Sequence, residues 1–97
     1  NKIDKIDPLV QIITVDNVSI EYAINLLISL RKLKIKTTYD YKVNIKKSLK
    51  HANQKKIKFA IIIGESEVKK NNYTLKNLIK GTQQTVTFEE LSNTLKQ

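Results

Sequence analysis

The stretch Lys58–Val68, which reads KFAIIIGESEV, decides the fold of this 97-residue chain. Its apolar part, Phe59–Ile63, is rich in isoleucine and unbroken, as is typical of a strand buried on both faces in a parallel sheet. Gly64 ends this run, and two carboxylates, Glu65 and Glu67, follow it. Because open α/β sheets place their ligands beyond the carboxyl ends of their strands, these two carboxylates are candidate binding residues.

Outward from this central strand, the sequence pattern predicts alternating strands and helices. The predicted strands are Leu9–Val15, Lys34–Tyr39, Phe59–Ile63, Tyr73–Leu78 and Gln84–Phe88. A long amphipathic helix runs from Val18 to about Lys32, and Asn44 caps a second helix. Thr87 and Glu90 form a capping box for a short final helix. This βαβαβ-then-ββα order predicts a three-layer α/β fold, with a mixed sheet of about five strands flanked by three helices.

Length and composition restrict the class of protein. The chain has the size of one small domain, in which residues 1–8 read as a linker or tail and residues 9–97 as the folded unit. It has no cysteine and a single histidine, His51, so we predict no metal site, and the lack of cysteine fits a cytoplasmic location. No apolar run reaches the length of a membrane span. The chain also lacks methionine, even at position 1, and we expect it to be cut from a longer polypeptide.

Positive charge is abundant and unevenly distributed along the chain. Eighteen Lys and Arg against nine Asp and Glu give a net charge of +9. Between Asp40 and Glu65 there is no acid, yet this interval contains Lys42, Lys46, Lys47, Lys50, Lys55, Lys56 and Lys58. The codon bias of an AT-rich genome explains many lysines but would scatter them. The cluster therefore favours a face that binds a polyanion such as nucleic acid.

Three lysines of this block, Lys46, Lys47 and Lys50, face away from the apolar stripe of the second predicted helix. One interpretation is an ordinary solvated helix face. The other, which we favour, is a track of phosphate contacts, to which the free amides of the helix start at Asn44 can add.

The strand pattern Tyr73-Thr74-Leu75-Lys76 places Lys76 on the face opposite Leu75, near the two carboxylates. The absence of a partner histidine or nucleophile around Glu65 and Glu67 argues against catalysis. A carboxylate can accept hydrogen bonds from base amino groups. The structural alternatives are that one carboxylate caps a turn, or that an acid and a lysine form a weak surface pair.

Two tyrosines, Tyr39 and Tyr41, flank Asp40 at the end of the second predicted strand. A tyrosine at this position can stack on an unpaired base. Half-buried packing is the alternative interpretation for both residues.

The run Gly64–Val68, followed by Lys76-Asn77-Leu78 and by Gly81-Thr82-Gln83, resembles the carboxy-terminal anticodon-binding domain of histidyl-tRNA synthetases. The resemblance covers roughly residues 9–96 and implies that the chain recognises tRNA and contains no catalytic residues. Prolyl, threonyl and glycyl enzymes have related domains, and an assignment to one of them stays open.

The resemblance also implies roles for individual residues. Glu67 and Lys76 are the implied readers of anticodon bases, with Glu65 as a second carboxylate. Lys50 is an implied contact to the anticodon loop. Some relatives have arginine in place of Lys76, and lysine offers a point charge instead of a bidentate fork.

Partners and cofactors follow from the same resemblance. The parent enzyme is implied to be a cytoplasmic homodimeric histidine–tRNA ligase that uses ATP, Mg²⁺ and histidine on a catalytic domain outside this chain. The implied partners of the chain are the anticodon stem-loop of tRNA(His) and that catalytic domain.

Two further hypotheses compete with this one. A protein-interaction or regulatory module can keep the same fold and the same basic surface without reading tRNA. A receiver-like or flavodoxin-like domain is disfavoured, because Gly64 stands where a phospho-accepting aspartate would end the central strand and no phosphate loop follows the first strand.

Overall fold

A computed structural model of the protein describes residues 9–39 and 44–96. The described residues form the strands β1 (Val10–Thr14), β2 (Thr37–Tyr39), β3 (Phe59–Ile63), β4 (Tyr73–Asn77) and β5 (Thr82–Val86). They also form the helices α1 (Ile20–Lys32), α2 (Ile45–Gln54), α3 (Glu65–Lys70) and α4 (Phe88–Lys96), and a 3₁₀ turn at Asn17–Ser19 leads into α1. The α/β fold with a mixed five-stranded sheet is confirmed. The structure adds α3, which the sequence pattern did not predict.

The five strands form one sheet in the order β2-β1-β3-β4-β5. β1, β2 and β3 are parallel, β4 is antiparallel to β3, and β5 is antiparallel to β4. The carboxyl ends of β1, β2 and β3 therefore meet at one edge of the sheet, which we call the carboxyl edge. β4 begins at this edge because it runs in the opposite direction.

The main hydrophobic core lies between the sheet and the helices α1 and α4, on what we call the α1/α4 face. The sheet contributes Val10, Ile12, Tyr39, Ile61, Ile63, Tyr73, Leu75 and Val86, and the helices contribute Ala23, Leu26, Leu27, Leu30, Leu91 and Leu95. Full burial of one large aliphatic side chain stabilises a fold by about 1.5–3 kcal/mol. Packing of these apolar side chains thus holds α1 and α4 on the same face of the sheet.

On the opposite face of the sheet, which we call the α2 face, α2 packs against β1. Gln11 and Ile13 of β1 point to this side and are buried. Ser48 and Ala52 are the buried residues of α2. The side-chain amide of Gln11 donates a hydrogen bond of 2.9 Å to the Ser48 carbonyl oxygen, which satisfies a polar group inside the layer.

The second strand is shorter than the predicted Lys34–Tyr39. Lys34 adopts a left-handed conformation, with φ of 64°, directly after α1. This residue turns the chain, and pairing with β1 begins only at Thr37. A left-handed lysine is not visible in an alternating polar and apolar pattern.

The fifth strand starts two residues earlier than the predicted Gln84–Phe88. The Asn77 side-chain oxygen accepts hydrogen bonds of 3.0 Å from the backbone amides of Ile79 and Lys80 and so closes a tight turn. Gly81 completes this turn with φ of 74°. Pairing therefore resumes at Thr82, immediately after the glycine.

The predicted helix caps are confirmed. The Asn44 side-chain oxygen accepts a hydrogen bond of 3.1 Å from the Lys47 amide. The Thr87 amide donates to the Glu90 carboxylate at 2.9 Å, and the Glu90 amide donates to the Thr87 hydroxyl at 3.2 Å, which makes the capping box. In the described ranges, none of the helices is both long and apolar enough to cross a membrane.

Gly64 joins β3 to α3 at a position with no space for a side chain. Its φ of −130° and ψ of −174° are extended values that any residue adopts, so the requirement is steric. A Cβ atom on Gly64 would lie 2.7 Å from Val15 Cγ2 and 3.3 Å from Glu67 Oε1. The loops after β1 and β3 thus approach each other in van der Waals contact at the carboxyl edge.

We expect Gly64→Ala to lower the free energy of unfolding by about 1–3 kcal/mol in a urea titration, because the added methyl group overpacks this contact. Val15 is partly exposed, so removing its methyl groups is tolerable. Gly64→Ala should therefore cost less stability when it is introduced into Val15→Ala than when it is introduced into the parent chain. Unchanged stability of Gly64→Ala would contradict the close approach of the two loops.

Candidate nucleic-acid interface

Asp16 closes the crevice between the loops that follow β1 and β3. Its Oδ1 accepts hydrogen bonds from the Ser19 amide at 3.0 Å and from the Ser19 hydroxyl at 2.6 Å. Its Oδ2 accepts from the Glu65 amide at 3.0 Å. Since Gly64 has no side chain to cap α3, Asp16 supplies an acceptor for one free amide at the start of that helix. The crevice in which an α/β sheet commonly binds a small ligand is occupied by the chain itself.

Hydrogen bonding also defines the charge state of this residue. The hydrogen bond from the Ser19 hydroxyl, together with the amide bonds from Glu65 and Ser19, holds the pKa of the Asp16 carboxyl below its ordinary value of 3.8, against the opposing effect of desolvation. Asp16 is therefore a carboxylate at neutral pH, when it can accept all three bonds.

Glu67 is held in one orientation by two hydrogen bonds. Its Oε1 accepts from the Gly64 amide at 2.7 Å, and its Oε2 accepts from the Thr74 hydroxyl at 3.0 Å. The side chain therefore caps the start of α3 and joins α3 to β4. It remains partly exposed, and each carboxylate oxygen has room for another hydrogen bond. Capping by one of the two carboxylates, one of the structural alternatives given above, is thus found at Glu67.

Glu65 lies in the first turn of α3 and forms an ion pair of 3.6 Å with Lys69, one turn further along the helix. Both side chains are well exposed, so this pair contributes little to stability. Among the described residues, this is the only ion pair with a separation of 4.0 Å or less. Lys76 therefore does not lie within 4.0 Å of a carboxylate oxygen of Glu65 or Glu67. The weak pairing of Lys76 with an acid, considered above as a structural alternative, is not formed.

Lys76 projects from β4 on the α2 face, as the alternation predicts, because Leu75 is buried in the core on the other face. Thr74 precedes it by two residues on the same strand and the same face, which corresponds to roughly 6.7 Å along the strand. Thr74 holds Glu67, so Glu67, Thr74 and Lys76 follow one another along the exposed side of β4.

β5 extends this exposed surface. Gln83 pairs with Lys76 and Thr85 pairs with Thr74, so both project from the same face. We call these four residues, Thr74, Lys76, Gln83 and Thr85, the open strip. Gln83 and Thr85 are exposed, and Thr74 and Lys76 are half-buried. Among the described helices, α4 packs on the other face of these strands, α2 packs on β1, and α3 reaches Thr74 through Glu67, so Gln83 and Thr85 remain open to solvent.

The predicted phosphate contacts lie on α2, on the same side of the sheet. Lys46, Lys47 and Lys50 are exposed, and so is Asn44 at the start of the helix. The buried residues of the helix point to β1, so these lysines are directed to solvent as predicted. The structure therefore brings a basic helix and the open strip together on one face.

The tyrosines contribute less surface than the sequence suggested. Tyr39 is only 8% exposed, belongs to the core, and its hydroxyl lies 3.0 Å from the Thr14 hydroxyl. A ring buried in this way presents little surface for base stacking, so packing is the interpretation that fits its position. Tyr41 lies outside the described residues. Tyr22 and Tyr73 stack on each other with ring centroids 5.2 Å apart, so Tyr73 is also a packing residue.

Two contributors to this region are not among the residues predicted above, although each left a trace in the sequence. Asp16 directly follows the first predicted strand, just as Gly64 follows the third. Thr74 shares the strand face of Lys76, which the alternation already implied, but its bond to Glu67 depends on α3. Because α3 is not predicted from the sequence, no local pattern joins Thr74 to Glu67.

The geometry defines a class of protein. A small α/β domain with a basic helix beside an uncovered polar strip has the arrangement expected of a nucleic-acid-binding domain. In the described ranges, no group of three or more His, Cys, Asp or Glu side chains is placed to hold a metal ion. The sequence model of the family described as "Anticodon binding domain" matches residues 9–97. The chain belongs to this family.

Proteins with similar sequences are consistent with membership of this family. A relative named "Histidine--tRNA ligase" from Cytophaga hutchinsonii is 45% identical over 75 residues, which are 76% of this chain and 17% of the relative. One of the same name from Flavobacterium johnsoniae is 39% identical over 75 residues, 76% of this chain and 16% of the relative. This chain thus matches about one sixth of the length of these relatives.

Solved structures support the same fold. The histidyl-tRNA synthetase of S. aureus superposes with a TM-score of 0.82 at 32% identity, over 99% of this chain and 25% of that one. The RNA binding domain of threonyl-tRNA synthetase from Cryptosporidium parvum superposes with a TM-score of 0.86 at 18% identity, over 93% of this chain and 23% of that one. At that identity, the second likeness shows the fold alone.

The isosteric variant Asp16→Asn should lose the bond from the Glu65 amide while keeping an oxygen for Ser19. We expect the free energy of unfolding to fall by about 1 kcal/mol at neutral pH, since the group is well solvated. The folded pKa is depressed, so the stabilisation by Asp16 is present above the ordinary value of 3.8 and is lost as pH falls through the lower folded pKa. Urea titrations between pH 7 and pH 2 should show parent and variant converging in acid. A constant difference would contradict this role of the carboxylate.

Proposed function

We propose that this chain is the anticodon-recognition domain of a histidine–tRNA ligase and binds the anticodon stem-loop of tRNA(His). The observation that carries the proposal is the arrangement on the α2 face, where exposed lysines of α2 lie on the same side of the sheet as the partly exposed Lys76 and Glu67. The name shared by the two relatives supports the choice of histidine.

In this proposal, the two parts of the surface have different tasks. Lys46, Lys47 and Lys50, with the helix start at Asn44, contact backbone phosphates of the stem-loop. Such contacts give affinity and orientation but carry no sequence information. Lys50 lies furthest along the helix of the three and contacts the anticodon loop.

Base reading falls to the residues around β4. Glu67 accepts hydrogen bonds from base amino or imino groups through the free lone pairs of its fixed carboxylate. Lys76 donates to base oxygen or nitrogen atoms. Glu65 adds a second carboxylate at the start of α3, where its pairing with Lys69 is weak enough to be exchanged for a base contact.

The wider setting is part of the same proposal. A catalytic domain of the same polypeptide, to which residues 1–8 would link, would hold ATP, Mg²⁺ and histidine, and two copies would form a homodimer in the cytoplasm. In this proposal the chain itself positions tRNA, and the cofactors belong to the catalytic domain. ATP activates the amino acid in such enzymes, and this chain holds the far end of the tRNA.

The proposal is tested by titrating the chain with a stem-loop that carries the GUG anticodon and with a scrambled-loop control, over a series of salt concentrations. We expect tighter binding of the GUG loop that persists at moderate salt, because base contacts do not depend on counterion release. Equal and salt-sensitive binding of both loops would overturn anticodon reading and leave only a basic α/β domain.

Glu67→Gln should separate base reading from folding. The amide keeps the size of the side chain and an oxygen for the Gly64 amide, so we expect the thermal unfolding curve to change little. The neutral group accepts hydrogen bonds from bases less strongly, so the preference for GUG over the scrambled loop should fall roughly tenfold. A loss that is equal for both loops would contradict the base-reading role of Glu67.

Lys46→Ala and Lys50→Ala should weaken the binding of all stem-loops alike. The slope of log K against log salt is negative, and each lost phosphate contact makes it shallower by about 0.7–0.9. Lys96→Ala on α4, which lies on the opposite side of the sheet, is the matched control and should leave the slope unchanged. If the α2 variants also leave the slope unchanged, their lysines are merely solvated.

A further inference from the structure

Gln83 of the open strip has no assigned role, although it lies directly across from Lys76. Gln83 and Lys76 are register partners on β5 and β4. Residues paired in this way have Cβ atoms about 4.5–5.5 Å apart. Gln83 is exposed, has no hydrogen-bond partner within the described part of the chain, and faces the same side as the lysines of α2.

The two side chains differ in hydrogen-bonding capacity in a way that can define a base. The ammonium of Lys76 only donates, whereas the amide of Gln83 has both an accepting oxygen and a donating nitrogen. Guanine and uracil present a keto oxygen beside an imino N–H group. Adenine and cytosine present, at the same places, an amino group and an unprotonated ring nitrogen.

We propose that Lys76 and Gln83 together read one keto base of the unpaired anticodon, an inference that rests on the proposed function. Lys76 Nζ donates to the keto oxygen, and Gln83 Oε1 accepts from the imino N–H. With adenine or cytosine, the amino group would face the lysine ammonium, which cannot accept a hydrogen bond. The unprotonated ring nitrogen would face Gln83 Oε1, also an acceptor, until the amide rotates to donate through Nε2, so at least one bond is lost and a donor stays opposed to a donor.

The surroundings of the pair suit a single-stranded ligand. The sheet is uncovered at this point, so a splayed base can approach the side-chain ends directly. The nucleotide's phosphate then points toward the basic helix α2, which lies over the neighbouring strand β1 on the same face. Glu67 is held at one end of the strip by Thr74, so the acid does not neutralise Lys76.

The chain offers a matched control in the next residue. Gln84 has the same chemistry, lies on the same strand and is equally classed as exposed, but it pairs with Leu75 and therefore faces the other side of the sheet. A general effect of removing a glutamine from β5 would appear in both Gln83→Ala and Gln84→Ala. A base contact would appear in Gln83→Ala alone.

The experiment measures dissociation constants of the parent chain and of both variants for four stem-loops. One carries GUG, and the other three replace one keto base each by the corresponding amino base, to give AUG, GCG and GUA. We expect Gln83→Ala to lose roughly tenfold of the parent's discrimination at one of the three positions and to keep it at the other two. Gln84→Ala should match the parent at all three positions, and the thermal unfolding curves should confirm that both variants are folded.

The outcomes separate this inference from the proposed function. If the parent discriminates among the loops and Gln83→Ala retains all three ratios, the keto-base reader is overturned and anticodon recognition stands. An equal loss in Gln84→Ala, or a loss spread over all three positions, would overturn it as well. If the parent binds every loop and the scrambled control equally, anticodon recognition fails, and the inference fails with it.

Discussion

Burial of the parallel strands β1 and β3 on both faces is the constraint on which the rest of the structure depends. All five residues of β1 are buried, and β3 beside it is entirely apolar, with three buried and two half-buried residues. Such a pair needs cover from two sides, and α1 and α2 provide it. β1 tolerates two buried polar residues, because the Thr14 hydroxyl shares a hydrogen bond with the Tyr39 hydroxyl and the Gln11 amide donates to the Ser48 carbonyl of α2. α2 is thereby fixed over β1, and its lysines are fixed on the outer side of the same layer.

The outer strands carry a different pattern, and the open strip follows from it. β4 is apolar only at alternate positions, and β5 contributes a single buried residue, Val86. Strands of this kind need a helix on one face only, and α4 supplies it. The other face is left to Thr74, Lys76, Gln83 and Thr85. The hydrophobic pattern that stabilises the core thus also determines where the domain can present polar groups to a ligand.

Closure of the carboxyl edge explains why this domain does not offer the crevice in which an α/β sheet commonly binds a small ligand. A doubly wound sheet commonly holds a small ligand in the crevice where neighbouring loops diverge. Here Val15 and Gly64 are in contact, and Asp16 bonds to the first amide of α3. With this crevice filled, the polar surface that remains is broad and lies on the face of the sheet, where a macromolecule can reach it.

Local sequence signals predicted much of this arrangement. The apolar run of β3 and the caps at Asn44 and Thr87 depend on neighbouring residues, so they could be read directly. Asn71 likewise adopts the left-handed conformation that an Asn-Asn pair favours, with φ of 57°. The position of Lys76 opposite Leu75 follows from strand alternation alone.

The features that escaped prediction depend on residues distant in the chain. α3 has only six residues, too few for a helical period to be visible, and one of its free amides bonds to Asp16, 49 residues earlier. The burial of Tyr39 depends in the same way on the register that brings it to Thr14. Patterns over a few neighbouring residues cannot predict either the contact between Glu65 and Asp16 or the contact between Tyr39 and Thr14.

The contrast between Glu67 and Lys76 bears on how the proposed complex gains specificity. Fixing a rotamer-rich side chain on binding costs about 0.5–1.5 kcal/mol. For Glu67 this cost belongs to folding, because the Gly64 amide and the Thr74 hydroxyl already hold the carboxylate. A fixed acceptor discriminates well between bases, because it cannot move toward the donor of a wrong base when that donor lies at a different place. Lys76 has no such partner in the described part of the chain and can adjust its long stem to the ligand. A lysine is therefore adequate at this position where a neighbour such as Gln83 supplies the directional hydrogen bond, and a bidentate arginine is not required.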